Sequence, residues 1–492
     1  MNVLHLAAEC APVAKVGGLA DVVGALPSAL AERGVDSAVL MPLYGGPHGA
    51  VAERAGALTV VSAGEVAYGP DRYPYAVSRA DHAGAPLYLL HEPVHFGPDA
   101  VYAGPGGTPL PHADTRFLVF QLAALDWLVR GDGAPEADVL HLHDHHTGLI
   151  PALLAHGPDY AALSGVPTVF TVHSADHQGE LPWAVWDRLG VHVPEPEGLL
   201  VEDEVNSMKA ALHWADAVTT VSPTYADELT SDRDMANGLI EAFRTARPKL
   251  TGIVNGVDTG VWSPEADPHL PATYTAADLS GKAVTKRKVC AELSLDASRP
   301  LLTFVGRLRP EKGAELLPEA IERVLRHTEA AVAVLGSGDA EHEEAMKGLI
   351  AMLASEGKAD RLAAVLAFDN ALAHQLYAAG DLFLMPSKSE PCGLGQLYAM
   401  AYGTPPVVHA VGGLRDTVAP FDAASGAGTG FAFDAFTVAA FFEAIQAGLA
   451  VVADPEAYAR LQQNGMAADH SWGRSAEAYA ALYERLVPAS VG

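Results

Sequence analysis

Residues 386–403, PSKSEPCGLGQLYAMAYG, set a carboxylate (Glu390), a thiol (Cys392) and two glycines (Gly393, Gly395) ahead of an apolar helical run. An acid beside a thiol can be a catalytic pair, or both can be parts of a pocket built from backbone. Cys392 follows Pro391 and precedes Gly393, so its amide, with those of Gly393 and Leu394, is the more useful group. The helix start would also activate the thiol toward alkylation. A second stretch, VLHLHDHHTGLIPALL, holds His141, His143, His145 and His146 around Asp144. His141 and His143 share one face of a strand, which invites a metal reading with His173 and Asp176 as further ligands. The alternative is a packed strand histidine at 141, with Asp144 at the strand mouth as the functional group. TFVGRLRPEKGAELL offers Arg307 and Lys312 after a strand, a fork and a point charge suited to a diphosphate. KVGGLADVVGALPSAL joins Lys15, Gly17, Gly18 and Asp21 at a helix start, either an anion site or a plain strand-to-helix turn. Phe368 ends a strand where a base can stack or a core aromatic can sit, and Gly412 and Gly413 form a second close-approach turn.

Short apolar runs of strand length must position these groups. They fall at 3–9, 36–42, 138–144, 167–173 and 215–222, then at 301–307, 331–338, 362–368, 382–387 and 405–410. Continuous apolar strands separated by helical patterns imply parallel sheets covered on both faces. Ligands of such sheets bind beyond the carboxyl ends of the strands, where the residues above lie. The pattern restarts after a Pro-, Asp- and Ala-rich stretch. We therefore expect an α/β protein of two doubly wound, Rossmann-like domains facing across a cleft. The first spans 1–256, a connection 257–285, the second domain 286–470, and an amphipathic helix 471–492 is free to pack against either, including back on the first.

Composition narrows the partners. The chain has 492 residues, too many for one ordinary core. With 31 basic against 60 acidic residues, net −29, it is suited neither to nucleic acid nor to an anionic membrane. A nucleotide ligand then needs locally placed cations, which favours a ligand over a solvated loop for Arg307 and Lys312. Three scattered cysteines make no disulfide framework and point to a reducing cytoplasm. The first residues, MNVLHLAAECAPVAK, read as a strand rather than a signal peptide, and no apolar run reaches membrane-spanning length.

Taken in order, KVGGLADVVGALP, HLHDHHTGLIPA, TVH…QG, VSPTYADEL, VNGVDTGVWSPEAD, GRLRPEKG, PSKSEPCGLGQLYAMAYGTPPVV and GGLRDTV resemble the bacterial glycogen synthase and starch synthase family along nearly the whole chain. The resemblance implies a retaining glucosyltransferase of GT-B type, moving glucose from a nucleotide diphosphate sugar to the non-reducing 4-hydroxyl of an α-1,4-glucan without metal or other cofactor. ADP-glucose is the expected donor and UDP-glucose the alternative. Lys15 and Gly18 would line the donor site, with Asp21 nearby, while Asp144 and His173 sit at the reacting sugar. Arg307 and Lys312 would hold the diphosphate, Phe368 the base and Glu390 the glucosyl hydroxyls, with the amides of Cys392, Gly393 and Leu394 beside it. Ser174, His177, Phe368 and Gly395 depart from the family's usual residues, which bears on substrate and rate. Two other classes are a metal-dependent hydrolase using the 141–146 histidines and a glucan-binding protein without activity.

Overall fold

A computed structural model describes residues 1–82 and 84–487. The chain divides into two compact units. One holds Met1–Val221, Ala226–Gly256 and the chain from Trp472 onward; the other holds Ser222–Tyr225 and Val257–Ser471.

The first unit is built on β1 (Asn2–Leu6), β2 (Asp36–Pro42), β3 (Thr59–Tyr68), β4 (Asp71–His82), β5 (Ala85–His91), β6 (Val139–His143) and β7 (Thr168–Val172). A small sheet of β8 (Glu180–Pro182), β9 (Leu200–Val201) and β10 (Glu204–Asn206) follows, then β11 (Ala217–Thr220) and β12 (Leu250–Gly252). The main sheet runs β12-β11-β7-β6-β1-β2-β5-β4-β3. From β12 to β5 it is parallel, whereas β4 pairs antiparallel with both β5 and β3. The expected all-parallel sheet is corrected here. β3 and β4 carry Gly64, Pro74 and several charges and are exposed along much of their length, so they never form a continuous apolar run.

The central strands β6 and β7 are buried at every residue. Their register sets His5 of β1 beside His141 of β6, and His143 of β6 beside Thr171 of β7. One face is covered by the helix Gly18–Ala31 and by the C-terminal helix Trp472–Leu486, which returns to this unit. Val22, Leu26 and Leu30 of the former join Trp472, Ala476, Tyr479 and Tyr483 of the latter over Val3, Val139 and Val169. The end of the 471–492 segment, 488–492, lies outside the described residues.

The second unit holds β13 (Leu301–Val305), β14 (Ala331–Leu335), β15 (Leu362–Val365), β16 (Leu382–Met385), β17 (Pro406–His409) and β18 (Phe431–Phe433) in the order β15-β14-β13-β16-β17-β18, all parallel. The stretch 257–285 is not a free connection, because it is folded into this unit. Trp262 stacks at 3.9 Å on His374 and at 3.8 Å on Tyr398, and His374 Nδ1 lies 2.7 Å from the buried Asp267 carboxylate. A helix then begins at Ser280.

No single described helix is long and apolar enough to cross a membrane. Val438–Val452 and Pro455–Ala467 reach that length and composition only together, and they are bent by 110°. All three cysteines are free and buried.

Leu26 is fully buried between the two covering helices and the sheet. Leu26→Ala is expected to destabilise the first unit by about 2–5 kcal/mol. Denaturant unfolding followed by intrinsic fluorescence checks this, since five of the six tryptophans lie in that unit.

Candidate functional site

In the first unit the functional side chains follow three neighbouring parallel strands. Glu9 comes after β1, Asp144 ends β6 and His173 ends β7. Asp144 adopts φ 56° and ψ −179°, a region that is almost exclusive to glycine and costs on the order of 1–3 kcal/mol. The surroundings hold it there: its amide donates to Thr171 O at 3.0 Å, and its Oδ1 accepts from His173 N at 2.7 Å. Burial pushes its carboxyl up to about 7, against the lowering effect of the His173 and Ser174 amides, with Glu9 and Asp176 adding repulsion. The group thus changes charge near neutrality, as an acid or anion in a reaction site would. Burial holds the His173 imidazole down at about 3, so it is neutral.

Glu9 is a site residue that the sequence reading missed. Its buried carboxylate accepts from the amides of Val16 and of Gly17 (3.0 Å for the latter) and from the Tyr102 hydroxyl. It therefore pins the Lys15–Gly17 loop from below. The available signal was an acid at the carboxyl end of the first parallel strand. Lys15 pairs with Asp21 at 2.6 Å, half exposed, so both expected residues belong to one ion pair at the helix start. Gly17 has an extended φ of −138°, and a Cβ on Gly17 or Gly18 would meet nothing within 4 Å. Neither strain nor internal packing requires glycine there. The amides of Gly18 and Leu19 donate to no acceptor among the described residues.

The 141–146 histidines do not behave as a cluster. His5, His141 and His143 bring one ring nitrogen each within 4.8 Å of one another, and all three are buried. The ring nitrogens of His141 and His143 are engaged, His141 with the Tyr483 hydroxyl (2.7 Å) and the Thr171 hydroxyl (2.6 Å), His143 with His5 (3.1 Å) and His173 (3.0 Å), while His5 Nε2 has no partner. His146 instead packs its ring against Phe117 and Tyr102. Both His141 nitrogens are held by hydroxyls, which is the packed-strand reading of that residue.

In the second unit the expected residues again follow strand ends. Lys312 Nζ donates to Glu390 Oε2 at 2.6 Å, and Ser387 Oγ donates to the same oxygen at 3.0 Å. Glu390 is 6% exposed, so its charge needs these partners. Arg307, with a 62% exposed side chain, pairs with Glu311 at 3.2 Å, and the Glu311 carbonyl accepts from the amides of Lys388 and Ser389. The two cations therefore attach to the Glu390 turn by different routes. Lys312 does not start a helix, although its place after a strand and before GAELL suggests one; it ends the single turn Pro310–Lys312, and the helix begins at Leu317. Gly313 follows at φ 71°, where a Cβ would lie 2.0 Å from Pro386 O. That clash is why the turn can press against the 386–390 strand exit only with glycine.

Gly412 and Gly413 are a close-approach turn, but the backbone they approach is the protein's own. A Cβ on either would lie 2.1 Å from a carbonyl oxygen, of Glu390 and Cys392 respectively, and the Gly413 amide donates to Glu390 O at 3.1 Å. Their reason for being glycine is internal. Cys392 is 5% exposed and lies two residues before the N-cap Leu394, so the expectation of an alkylatable thiol at a helix start does not hold. The amides of Gly393 and Leu394 have no protein acceptor among the described residues. Phe368 is 90% exposed after β15, which rules out the core reading and leaves its face open. Of the departures, Ser174 bonds Asp176 at 2.9 Å, and Gly395 sits 3.3 Å, by its missing Cβ, from the Phe383 ring and the Tyr377 hydroxyl.

Two Rossmann-like units with glycine turns and charged groups at their strand ends are the architecture of a GT-B glycosyltransferase. Residues 2–245 match the starch synthase catalytic domain family and residues 286–467 the glycosyl transferases group 1 family. A glycogen synthase of Anaeromyxobacter dehalogenans is 42% identical over 99% of this chain and 100% of its own, and one of Flavobacterium johnsoniae is 38% identical over 99% of both. The catalytic domain of starch synthase IV from Arabidopsis thaliana, solved bound to ADP and acarbose, superposes with a TM-score of 0.86 at 32% identity over 99% of both chains. The chain belongs to the glycogen synthase and starch synthase family.

Gly413→Ala forces a Cβ against backbone and is expected to lower the unfolding temperature of the second unit by several degrees, for a cost of about 1–3 kcal/mol. Gly18→Ala, in open space, is expected to unfold at or above the parent temperature. Calorimetry on the two variants checks both.

Proposed function

We propose that the protein elongates α-1,4-glucan by retaining transfer of glucose from ADP-glucose to the non-reducing 4-hydroxyl. The observation that carries this reading is the full-length identity to glycogen synthases. The ADP held by the Arabidopsis relative supports the adenine nucleotide, and acarbose in the same structure supports a glucan acceptor. The free, buried cysteines are consistent with a reducing cytoplasm as the place of work.

In this reading Arg307 and Lys312 bind the diphosphate and stabilise the charge that grows on it as the C1–O bond breaks. Such preorganised charge is worth on the order of 3–4 kcal/mol per donor. Glu390, fixed by Lys312 and Ser387, binds glucosyl hydroxyls, with the Gly393 and Leu394 amides beside it, while Gly412 and Gly413 hold that turn in place. Phe368 stacks on the base. Lys15, Asp21 and Gly18 form the other anion-binding turn. Asp144 and His173 position the sugar, and anionic Asp144 stabilises the oxocarbenium-like transition state. The departing phosphate oxygen takes the acceptor's proton, so atoms and charge balance without a protein nucleophile.

Radiolabelled transfer from ADP-glucose and UDP-glucose, run in parallel onto glycogen and maltooligosaccharides, tests the donor. ADP-glucose is expected to win, and preference for UDP-glucose would overturn that choice. Lys312→Ala and Glu390→Ala are each expected to cut turnover at least about a hundredfold. Near-parental glucan synthesis by either would sink the assignment. Asp144 is neutral below about 7 and charged above it. The kcat/KM for donor should therefore rise with pH through about 7 to a plateau, and Asp144→Asn should remove that limb along with most activity.

A further inference from the structure

His5, His143 and His173 make one line of imidazoles through the first unit's sheet. His5 Nδ1 lies 3.1 Å from His143 Nε2, and His143 Nδ1 lies 3.0 Å from His173 Nε2. His5 and His143 are fully buried, and the far nitrogen of the line, His5 Nε2, is sealed with no partner. The near end, His173 Nδ1, has no protein partner among the described residues and lies on a half-buried side chain beside Asp144. Burial holds His5 and His173 at about 3 and His143 well below its usual value, so all three rings are neutral.

Three neutral imidazoles carry three ring protons. Each of the two N···N contacts takes one, and the third must sit at an end of the line. Only two arrangements exist. In one, His5 Nε2 carries the proton, and a buried N–H is left without an acceptor. In the other, every proton points toward the site and the sealed end is a lone pair. Orphaned buried N–H groups are rarer than under-used acceptors, so the second arrangement is the favoured one. Which nitrogen of an exposed histidine is protonated is then fixed by the hydrogen bond that its other nitrogen makes.

We propose that His5 and His143 are positioning residues that lock His173 into the tautomer with its proton on Nδ1, so that it presents a donor, and never an acceptor, to the sugar. That the partner is a sugar oxygen rests on the glucosyl-transfer reading; the tautomer does not. His141 lies alongside the line but outside it, since both its nitrogens are taken by hydroxyls.

The test is two-bond proton–nitrogen correlation on ¹⁵N-histidine-labelled protein, free of ligand, with the His173 signals assigned by their loss in His173→Gln. Nδ1 is expected to be the protonated nitrogen of His173 in the parent protein; protonation at Nε2 would overturn the proposal without any further variant. His143→Phe removes both contacts. It is expected to release the His173 tautomer and to lower kcat on the order of ten- to a hundredfold with little change in donor KM. His5→Gln keeps an amide donor for His143 Nε2 and is expected to restore the parental tautomer and most of the rate. An unchanged tautomer in His143→Phe, or an unchanged kcat once it has shifted, would count against the proposal. Absence of glucosyl transfer by the parent protein would instead overturn the functional reading.

Discussion

Glu390 carries a charge that the second unit has taken almost entirely out of water. Such a charge persists only with a partner and further hydrogen bonds, and Lys312 and Ser387 supply them on a single oxygen. Much of the surrounding backbone follows from that requirement. Lys312 reaches the carboxylate because its turn presses against the exit of β16, which only Gly313 permits. The Glu390–Cys392 backbone is braced from the other side by Gly412 and Gly413. The turn is thus held on two sides by glycine contacts and at its centre by an ion pair. In the proposed reaction the same ion pair ties the group that binds the sugar to a group that binds the leaving diphosphate, so the two are positioned together.

The first unit solves a related problem with carboxylates and histidines. Glu9 holds the Lys15–Gly17 loop, and Asp144 accepts from the backbone of His173. Strained backbone at Asp144 and a carboxyl pushed up to about 7 are the costs of holding this group in its buried place. Neighbouring parallel strands make this arrangement possible, because β1, β6 and β7 end side by side and each delivers one residue to the same edge.

Ten parallel strands were legible because strands buried on both faces are written as continuous apolar runs, and every such run became a strand, 36–42 at full length and the others two to four residues shorter; the parallel strands β5, β12 and β18 were not read. The antiparallel pair 59–82 was not, since half-exposed strands interrupted by Gly64 and Pro74 lack that signature. Candidate residues at strand ends were equally legible, Asp144, His173, Lys312 and Glu390 among them. What sequence could not supply was which groups touch. Nothing in the spacing says that Lys312 reaches Glu390, that Glu9 holds a loop, or that Gly412 and Gly413 serve backbone rather than ligand. Those depend on tertiary approach between segments far apart in the chain. The histidine cluster left two readings open for the same reason: residues side by side in sequence are divided in the fold, His143 to a buried line and His146 to a separate aromatic packing.

In the proposed reaction an anchored diphosphate departs and the acceptor enters on the same face. The anomeric configuration of the product reads this most directly. ¹³C-labelled nucleotide-glucose and a maltooligosaccharide, followed by NMR from the first turnovers, should give a new α-1,4 linkage at the non-reducing end. A β-linked product, or free glucose in place of a lengthened chain, would contradict it.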